Sequence, residues 1–298
     1  MKTKLNYWLM AGVVAMATIT SCGSDDDDSL PPIDGYNNSN EVSSGNLLAH
    51  WSFDDTNSER ISNTAASNTY GSVTYTTGQI GNALKLDQGA LVYPTINAIN
   101  TANALNNYTV SLWVNITNNK RSANSGFTSL FSLIPTNATD VWGDVNACVE
   151  TSRHLPSSDT LELKNLQRSH TEGGVITNDN LAMFNDDTDK GKWFMGAKKW
   201  AHYVMTWNAT TNEYKLYANG SSHGAYDARN EGGIMIMDVP VKAVFGSLAS
   251  SDIGFAEAGE QRDWNPWATA MIDDVRVYNT VLSQVEITAL YNLGVAGR

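Results

Sequence analysis

Along much of the chain, apolar and polar side chains change places at every residue, the period of a strand with one buried face. Leu47, Ala49, Trp51 and Phe53 alternate with Leu48, His50 and Ser52, and Asp54-Asp55 closes the run. Tyr108, Val110, Leu112, Val114 and Ile116 alternate with Thr109, Ser111, Trp113 and Asn115. Trp200 to Trp207 and Glu213 to Gly220 flank Asn208-Ala209-Thr210-Thr211-Asn212 as the two arms of a hairpin would. Ala243 to Leu248 predicts a further strand, and Leu161 to Leu166 another. Near the end, Met271, Val275 and Val277 fall on one face of a strand, with Asp273 the single charge among them. Ser283 and Glu286 then have capping-box spacing, predicting a short helix through Leu290 and Tyr291 that stops at Gly294. Spacing and turn chemistry together give an all-β sandwich of short antiparallel strands with one terminal helix. No internal repeat is visible, so one domain is expected.

The order of these segments resembles the laminin-G-like, concanavalin A-type jelly roll. Ala49-His50-Trp51-Ser52-Phe53-Asp54-Asp55 resembles its opening strand, and Gly78 to Asp87 its glycine turn and the strand that follows. The hairpin resembles its central pair, and Ala270 to Asn279 its closing strand. The resemblance covers roughly residues 47–294, with one departure. Residues 133–191 carry far more sequence than a minimal domain, so an insertion at about 134–191 is expected on the rim. The resemblance implies a two-sheet jelly roll used more for holding glycans and proteins than for catalysis, although fold alone never proves function.

The chain start adds a location. Lys2 and Lys4 precede an apolar run, Trp8 to Ile19, of signal-peptide rather than membrane-spanning length. Ile19-Thr20-Ser21-Cys22 resembles a bacterial lipobox, which implies residues 1–21 as a signal peptide and Cys22 as the lipidated residue. An ordinary secretory signal with a chance cysteine is the alternative. Gly23-Ser24-Asp25-Asp26-Asp27-Asp28 resembles the export tag of Bacteroidetes-type lipoproteins, implying a place on the outer face of the cell outer membrane. Residues 22–45 are polar and read as a flexible tether, with the folded domain at 46–298.

Of two cysteines, lipidation of Cys22 leaves Cys148 alone, so no disulfide within the chain is expected and Cys148 reads as a small core residue. Loss of Lys2 and Lys4 from 19 basic residues leaves 17 against 31 acids, a net −14. That balance argues against nucleic acid and anionic lipid as partners, and disfavours heavily sulfated glycans.

Two constellations carry chemistry. Asp273 stands among apolar positions, and a buried carboxylate is costly unless paired, hydrogen-bonded or metal-bound. The resemblance implies structural calcium there, held by Asp273 with backbone around Phe53 or Asp54 and around Gly81; an Asp bonded to loop amides without metal is the alternative. Asp186-Asp187-Thr188-Asp189 reads as solvated surface. The second constellation is aromatic, because a sugar ring stacks on Trp while amides, carboxylates and Arg hold its hydroxyls. In Glu260-Gln261-Arg262-Asp263-Trp264-Asn265-Pro266-Trp267, Trp264 and Trp267 read as stacking platforms, with Arg262, Asp263 and Asn265 as hydroxyl partners. Trp142 beside Asp140 and Asp144, and Trp193 after Lys192, are further candidates, followed by Tyr226 with Asp227 and Arg229. Trp113 lies on a polar strand face, as core or as site. Trp51, Trp200 and Trp207 read as core.

Catalytic signatures are missing. Asp159-Thr160-Leu161-Glu162 lacks a third carboxylate for a single-strand acid set, and Asp273-Asp274 are adjacent and diverge. His202 and Tyr203 also diverge, while His154 and His170 stand near Arg153 and Arg168 and read as surface, with a lyase-like pairing as the alternative. No Gly-x-Ser-x-Gly, His-Glu-x-x-His, P-loop or CxxC occurs. The expectation is non-catalytic glycan capture for a neighbouring importer or hydrolase. A protein-adhesion module or a divergent glycosidase or lyase stands as the rival.

Overall fold

The computed structural model describes residues 30–54, 56–119, 127–150, 154–171, 174–179, 194–211, 213–227 and 241–298. The chain divides into Met1–Pro31 and a compact unit, Pro32–Arg298. The strands are β1 (Leu47–Trp51), β2 (Asn68–Thr77), β3 (Asn82–Thr95), β4 (Asn107–Ile116) and β5 (Phe127–Pro135). β6 (Val145–Glu150), β7 (Thr160–Thr171), β8 (Gly174–Asp179) and β9 (Phe194–Met195) follow. β10 (Ala201–Asn208), β11 (Glu213–Ala218), β12 (Ser221–Asp227), β13 (Val241–Phe245) and β14 (Ala268–Tyr278) lead to the helix α1 (Gln284–Val295).

All pairings are antiparallel, in the order β12-β11-β10-β4-β14-β3-β13-β5-β6-β7-β8. The path folds into two layers hinged where β14 meets β3. One layer runs from β12 to β14 and adds β1; the other runs from β3 to β8, with β2 on β3 and β9 on β7. Between them lies one core, in which Val110, Leu112, Tyr203 and Met205 face Phe131, Leu133, Val145 and Ala147. Trp51 is its centre, with ring centroids 5.4 Å from Phe131 and Phe245 and 5.6 Å from Tyr93. The two-sheet jelly roll with a short terminal helix is therefore the architecture the alternation predicts.

Four details differ from the sequence reading. Residues 134–191 are not a rim insertion where they are described: β5, β6 and β7 are ladder-paired members of the second layer. Residues 32–45 are not a free tether. Val42 is fully buried with Leu282, Ile287 and Leu290, and Arg276 holds Ser39 Oγ at 2.8 Å and Asn40 Oδ1 at 3.0 Å. The closing strand changes face midway. Ala268, Ala270 and Ile272 point inward, then Val275 and Val277 do, because Asp274 at φ +45° adds a bulge residue. Met271 therefore does not share a face with Val275. Finally, α1 has its capping box at Ser283 and Glu286 but runs through Gly294 to Val295.

Candidate functional site

The chain from Gly246 to Trp267 folds back across the outer face of the second layer. Ala249, Ile253, Phe255 and Ala258 pack on Ala90, Val92, Ile134 and Val244 of that face. Gln261 staples the segment: its N–H donates to Asp252 Oδ2 at 2.8 Å, its Oε1 accepts from Ser250 Oγ at 3.2 Å, and its Nε2 donates to the Asn265 carbonyl. The staple delivers Trp264 to two aromatic rings. Trp264 lies 5.6 Å from Trp142 and 5.9 Å, edge-on, from Phe127, and Trp142 lies 6.5 Å from Phe127. Both tryptophans are half-buried, so this wall keeps open surface.

Beside the wall runs a row of charge. Phe127, Glu150 and Glu162 stand directly opposite one another across β5, β6 and β7, and Ser129, Cys148 and Lys164 form the next row. Lys164 Nζ bonds Glu150 Oε2 at 3.0 Å and lies 5.3 Å over the Phe127 ring. His154 Nε2 meets Glu162 Oε1 at 2.9 Å. Sequence reasoning set Glu162 aside for want of a partner on its own strand. The partner, Glu150, sits on the neighbouring strand, where only the register of β6 against β7 places it. Cys148 is free and buried beneath this row, and burial pushes its thiol up.

The structure separates residues that the sequence groups. Trp267 turns away from Trp264 onto Tyr70, 5.9 Å between centroids, with the Phe255 cluster. The two do not form one platform, because a packed loop buries alternate side chains against different neighbours. Asn265 is 2 % exposed, so its side chain is not available to a ligand on this surface. Arg262 and Asp263 are exposed beside Trp264. Trp113 is core rather than site: at 2 % exposure it stacks on Tyr291 at 5.7 Å and lies 5.1 Å from His202, under α1. His154, read as surface, is the partner of Glu162. Tyr226 and Asp227 lie in β12, and Arg168 and His170 in β7. Cys22, Asp186 to Asp189, Trp193 and Arg229 fall outside the described residues.

Under α1, His202 Nε2 meets Ser111 Oγ at 2.8 Å, and burial lowers the ring to about 3, so it stays neutral. Asp274 takes His50 Nε2 at 2.7 Å and Arg276 Nε at 2.9 Å. Burial alone would raise that carboxyl, but Arg276 and His50 hold it well below the usual range. This network ties β14 to β1 and to residues 39–40 rather than facing a ligand.

Asp273 points the other way, into the Gly78–Gly81 turn. Its Oδ2 accepts from Ile80 N at 2.8 Å, while its Oδ1 is buried without a hydrogen-bond partner. A Cβ on Gly78 would strike that carboxylate, so only glycine fits there. Burial raises Asp273 to about 8; the Ile80 N–H pulls it down and Asp274 pushes it up. Across the same turn, Asp54 Oδ1 accepts from Asn82 N at 3.0 Å, and Gly81, at φ +62°, leaves Asp54 the space a Cβ would fill. Among the described residues no three His, Cys, Asp or Glu side chains converge on a metal position. The orphaned Oδ1 of Asp273 is a buried oxygen that a cation would neutralise, which is the feature an oxygen-only site at this turn would use.

A two-layer antiparallel jelly roll defines the concanavalin A-like class of fold. The chain belongs to Laminin_G_3, the concanavalin A-like lectin/glucanases superfamily, matched over residues 89–288. Domain 4 of AbnA, a GH43 extracellular arabinanase from Geobacillus stearothermophilus solved with arabinotriose, is 19% identical. That match has a TM-score of 0.51 and covers 82% of this chain and 98% of that one. The binding domain of botulinum neurotoxin DC in complex with rat synaptotagmin II is 16% identical with a TM-score of 0.53, over 83% of this chain and 52% of that one. A structure titled for the dependence of botulinum neurotoxin type C cell entry on two ganglioside molecules gives 16% and 0.52, over 83% and 51%. The chain thus spans about half of those toxin domains, and at these identities the likeness establishes the fold. No curated protein sequence matches the chain.

Proposed function

We propose that this protein binds glycan without cleaving it, on the surface formed by Trp142, Trp264 and Phe127. The carrying observation is the half-buried Trp142–Trp264 pair, 122 residues apart in sequence and 5.6 Å apart in space, next to a hydrogen-bonding row. Two flat apolar faces stack sugar rings, and exposed Arg262 and Asp263 beside them, with partly exposed His154, offer partners for hydroxyls. That the arabinanase domain was solved with arabinotriose, and a neurotoxin relative is titled for gangliosides, supports a saccharide ligand, while the neurotoxin domain solved with synaptotagmin II keeps protein as the rival. Asp273 with the Gly78–Gly81 backbone and Asp54 would hold calcium, which would neutralise a buried carboxylate and pin the turn.

The lipobox-like Cys22 and the acidic run after it support a place on the outer face of a bacterial outer membrane. There the domain would hold polysaccharide for an importer or hydrolase. Fatty-acid labelling that persists in a Cys22→Ala variant would remove this part of the reading.

The opposed carboxylates Glu150 and Glu162 favour one second reading, glycosidic hydrolysis. Against it, Glu150 is already bonded to Lys164 and Glu162 to His154. A glycan array run with calcium and with chelator, on the parent and on Trp142→Ala/Trp264→Ala, separates the possibilities. Binding with intact ligand, weakened about tenfold or more in the double variant, is the expected result. Product release overturns the non-catalytic reading, and silence on the array shifts the reading to protein adhesion.

A further inference from the structure

Where β4 stops, β14 does not. Their last pair is Ile116 with Ala270, and β14 runs on to Ala268 while residues 117–119 leave the sheet. A cleft of about 370 Å³ opens in that fork. Lys85, Met271 and Asn115 cross its wall as directly opposed residues of β3, β14 and β4, and Thr269, Thr117 and Asn119 complete the rim. The cleft shares no residue with the aromatic wall.

One lining group is anchored to the second layer. Asn118 is 1 % exposed, and its Nδ2 donates to the carbonyls of Ser158 at 3.0 Å and Thr160 at 2.8 Å. Both amide hydrogens are therefore spent on the second layer. Its Oδ1, on the opposite side of the amide, is buried and has no hydrogen-bond partner. Asn118 thereby holds the cleft against the second layer, while Asn115 and Asn119, both half-buried, present amides along it.

We propose that this cleft is a second saccharide subsite, holding one neutral sugar ring through its hydroxyls, independently of Trp142 and Trp264. Sugar hydroxyls both donate and accept, which suits a cleft lined by the amides of Asn115 and Asn119 and the hydroxyls of Thr117 and Thr269. Met271 and Leu86 supply apolar contact for the ring carbons. Lys85 is the single charged residue among the described lining, and Asp87 stands two positions along β3, within 3.3 Å of Thr269 Oγ1. Among the described residues local charge is thus balanced, which favours a neutral ligand over an anion. The volume lies at the low end of ligand pockets, roughly 300–1,000 Å³, enough for one ring. Without a stacking aromatic such a site is weak alone and gains from a chain already held at the wall.

The test is NMR on the ¹⁵N-labelled full chain, following the side-chain amides of Asn115, Asn118 and Asn119 during titration with methyl glycosides of glucose, galactose, mannose and arabinose. The expected result is that at least one sugar shifts these amides with millimolar affinity. The shifts should survive Trp142→Ala/Trp264→Ala and weaken about tenfold in Asn115→Leu and Asn119→Leu, which fill the cleft but leave the Asn118 anchor intact. Amides unmoved by all four sugars, or moved only by sodium or calcium, overturn the proposal, as does loss of the shifts in the double Trp variant. The indole N–H signals of Trp142 and Trp264 report the wall separately, so failure there is told apart from failure here.

Discussion

At the scale of single residues, two positions decide between competing chemistries. Asp273 is held at about 8 by burial, far above an ordinary carboxyl. A folded pKa above the unfolded one means the native state keeps a proton that the unfolded chain gives up. Metal-free protein should therefore lose stability as pH rises from about 4 to about 8 and level off beyond. Asp273→Asn should flatten that loss relative to the parent, and calcium should flatten it in the parent by taking the proton's place. Thermal midpoints at pH 5 and pH 8, with calcium and with chelator, check both; identical slopes in parent and variant would remove Asp273 from the account. Gly294 is the second position. A Cβ there would lie 2.5 Å from the Trp113 indole, so the helix glycine serves close packing rather than termination. Gly294→Ala should cost about 1–3 kcal/mol by overpacking, a fall of several degrees in Tm measured by calorimetry.

At the scale of elements, the loop from Gly246 to Trp267 does what no strand does here: it carries an aromatic side chain onto a sheet face from outside. Its shape depends on Gln261, whose side chain bonds Ser250 and Asn265 and whose backbone bonds Asp252. Gln261→Leu should release Trp264 from Trp142 and lower glycan retention several-fold while shifting Tm little, since the core does not include this side chain. Affinity chromatography beside a melting curve reads the two effects separately. Equal retention by the variant would mean that Trp264 is positioned by the rings alone. The closing strand carries a related lesson. Its alternation is regular in sequence, yet the bulge at Asp274 turns Asp273 to the glycine turn and Asp274 to His50 and Arg276.

At the scale of the whole molecule, both ends of the folded unit close on each other. Ser39 N donates to the Arg298 carbonyl at 3.3 Å, Arg298 Nε donates to the Asn37 carbonyl at 2.9 Å, and Val42 fills the space between α1 and the sheet. A chain cut to begin at residue 46 should be less stable than one beginning at residue 30, because Arg276 loses Ser39 and Asn40 while remaining buried against Asp274. Urea unfolding of the two lengths checks this, and equal midpoints would return residues 30–45 to the role of a passive tether.

The sequence by itself determined what is local. Alternation wrote the strands, Ser283 and Glu286 wrote the helix start, Gly78 to Gly81 wrote the turn, and the order of segments wrote the jelly roll. These are read over two to four residues, where side-chain period and hydrogen-bond reach act directly. Only the tertiary structure decided which faces meet. It joined Trp142 to Trp264 and parted Trp267 from both, put Glu150 opposite Glu162, buried Trp113 under Gly294, and drew residues 32–45 into the fold. Each of these depends on strand register or on packing between segments scores of residues apart. Shifting a register by one residue exchanges the faces of an entire strand, and a single bulge does so midway along one.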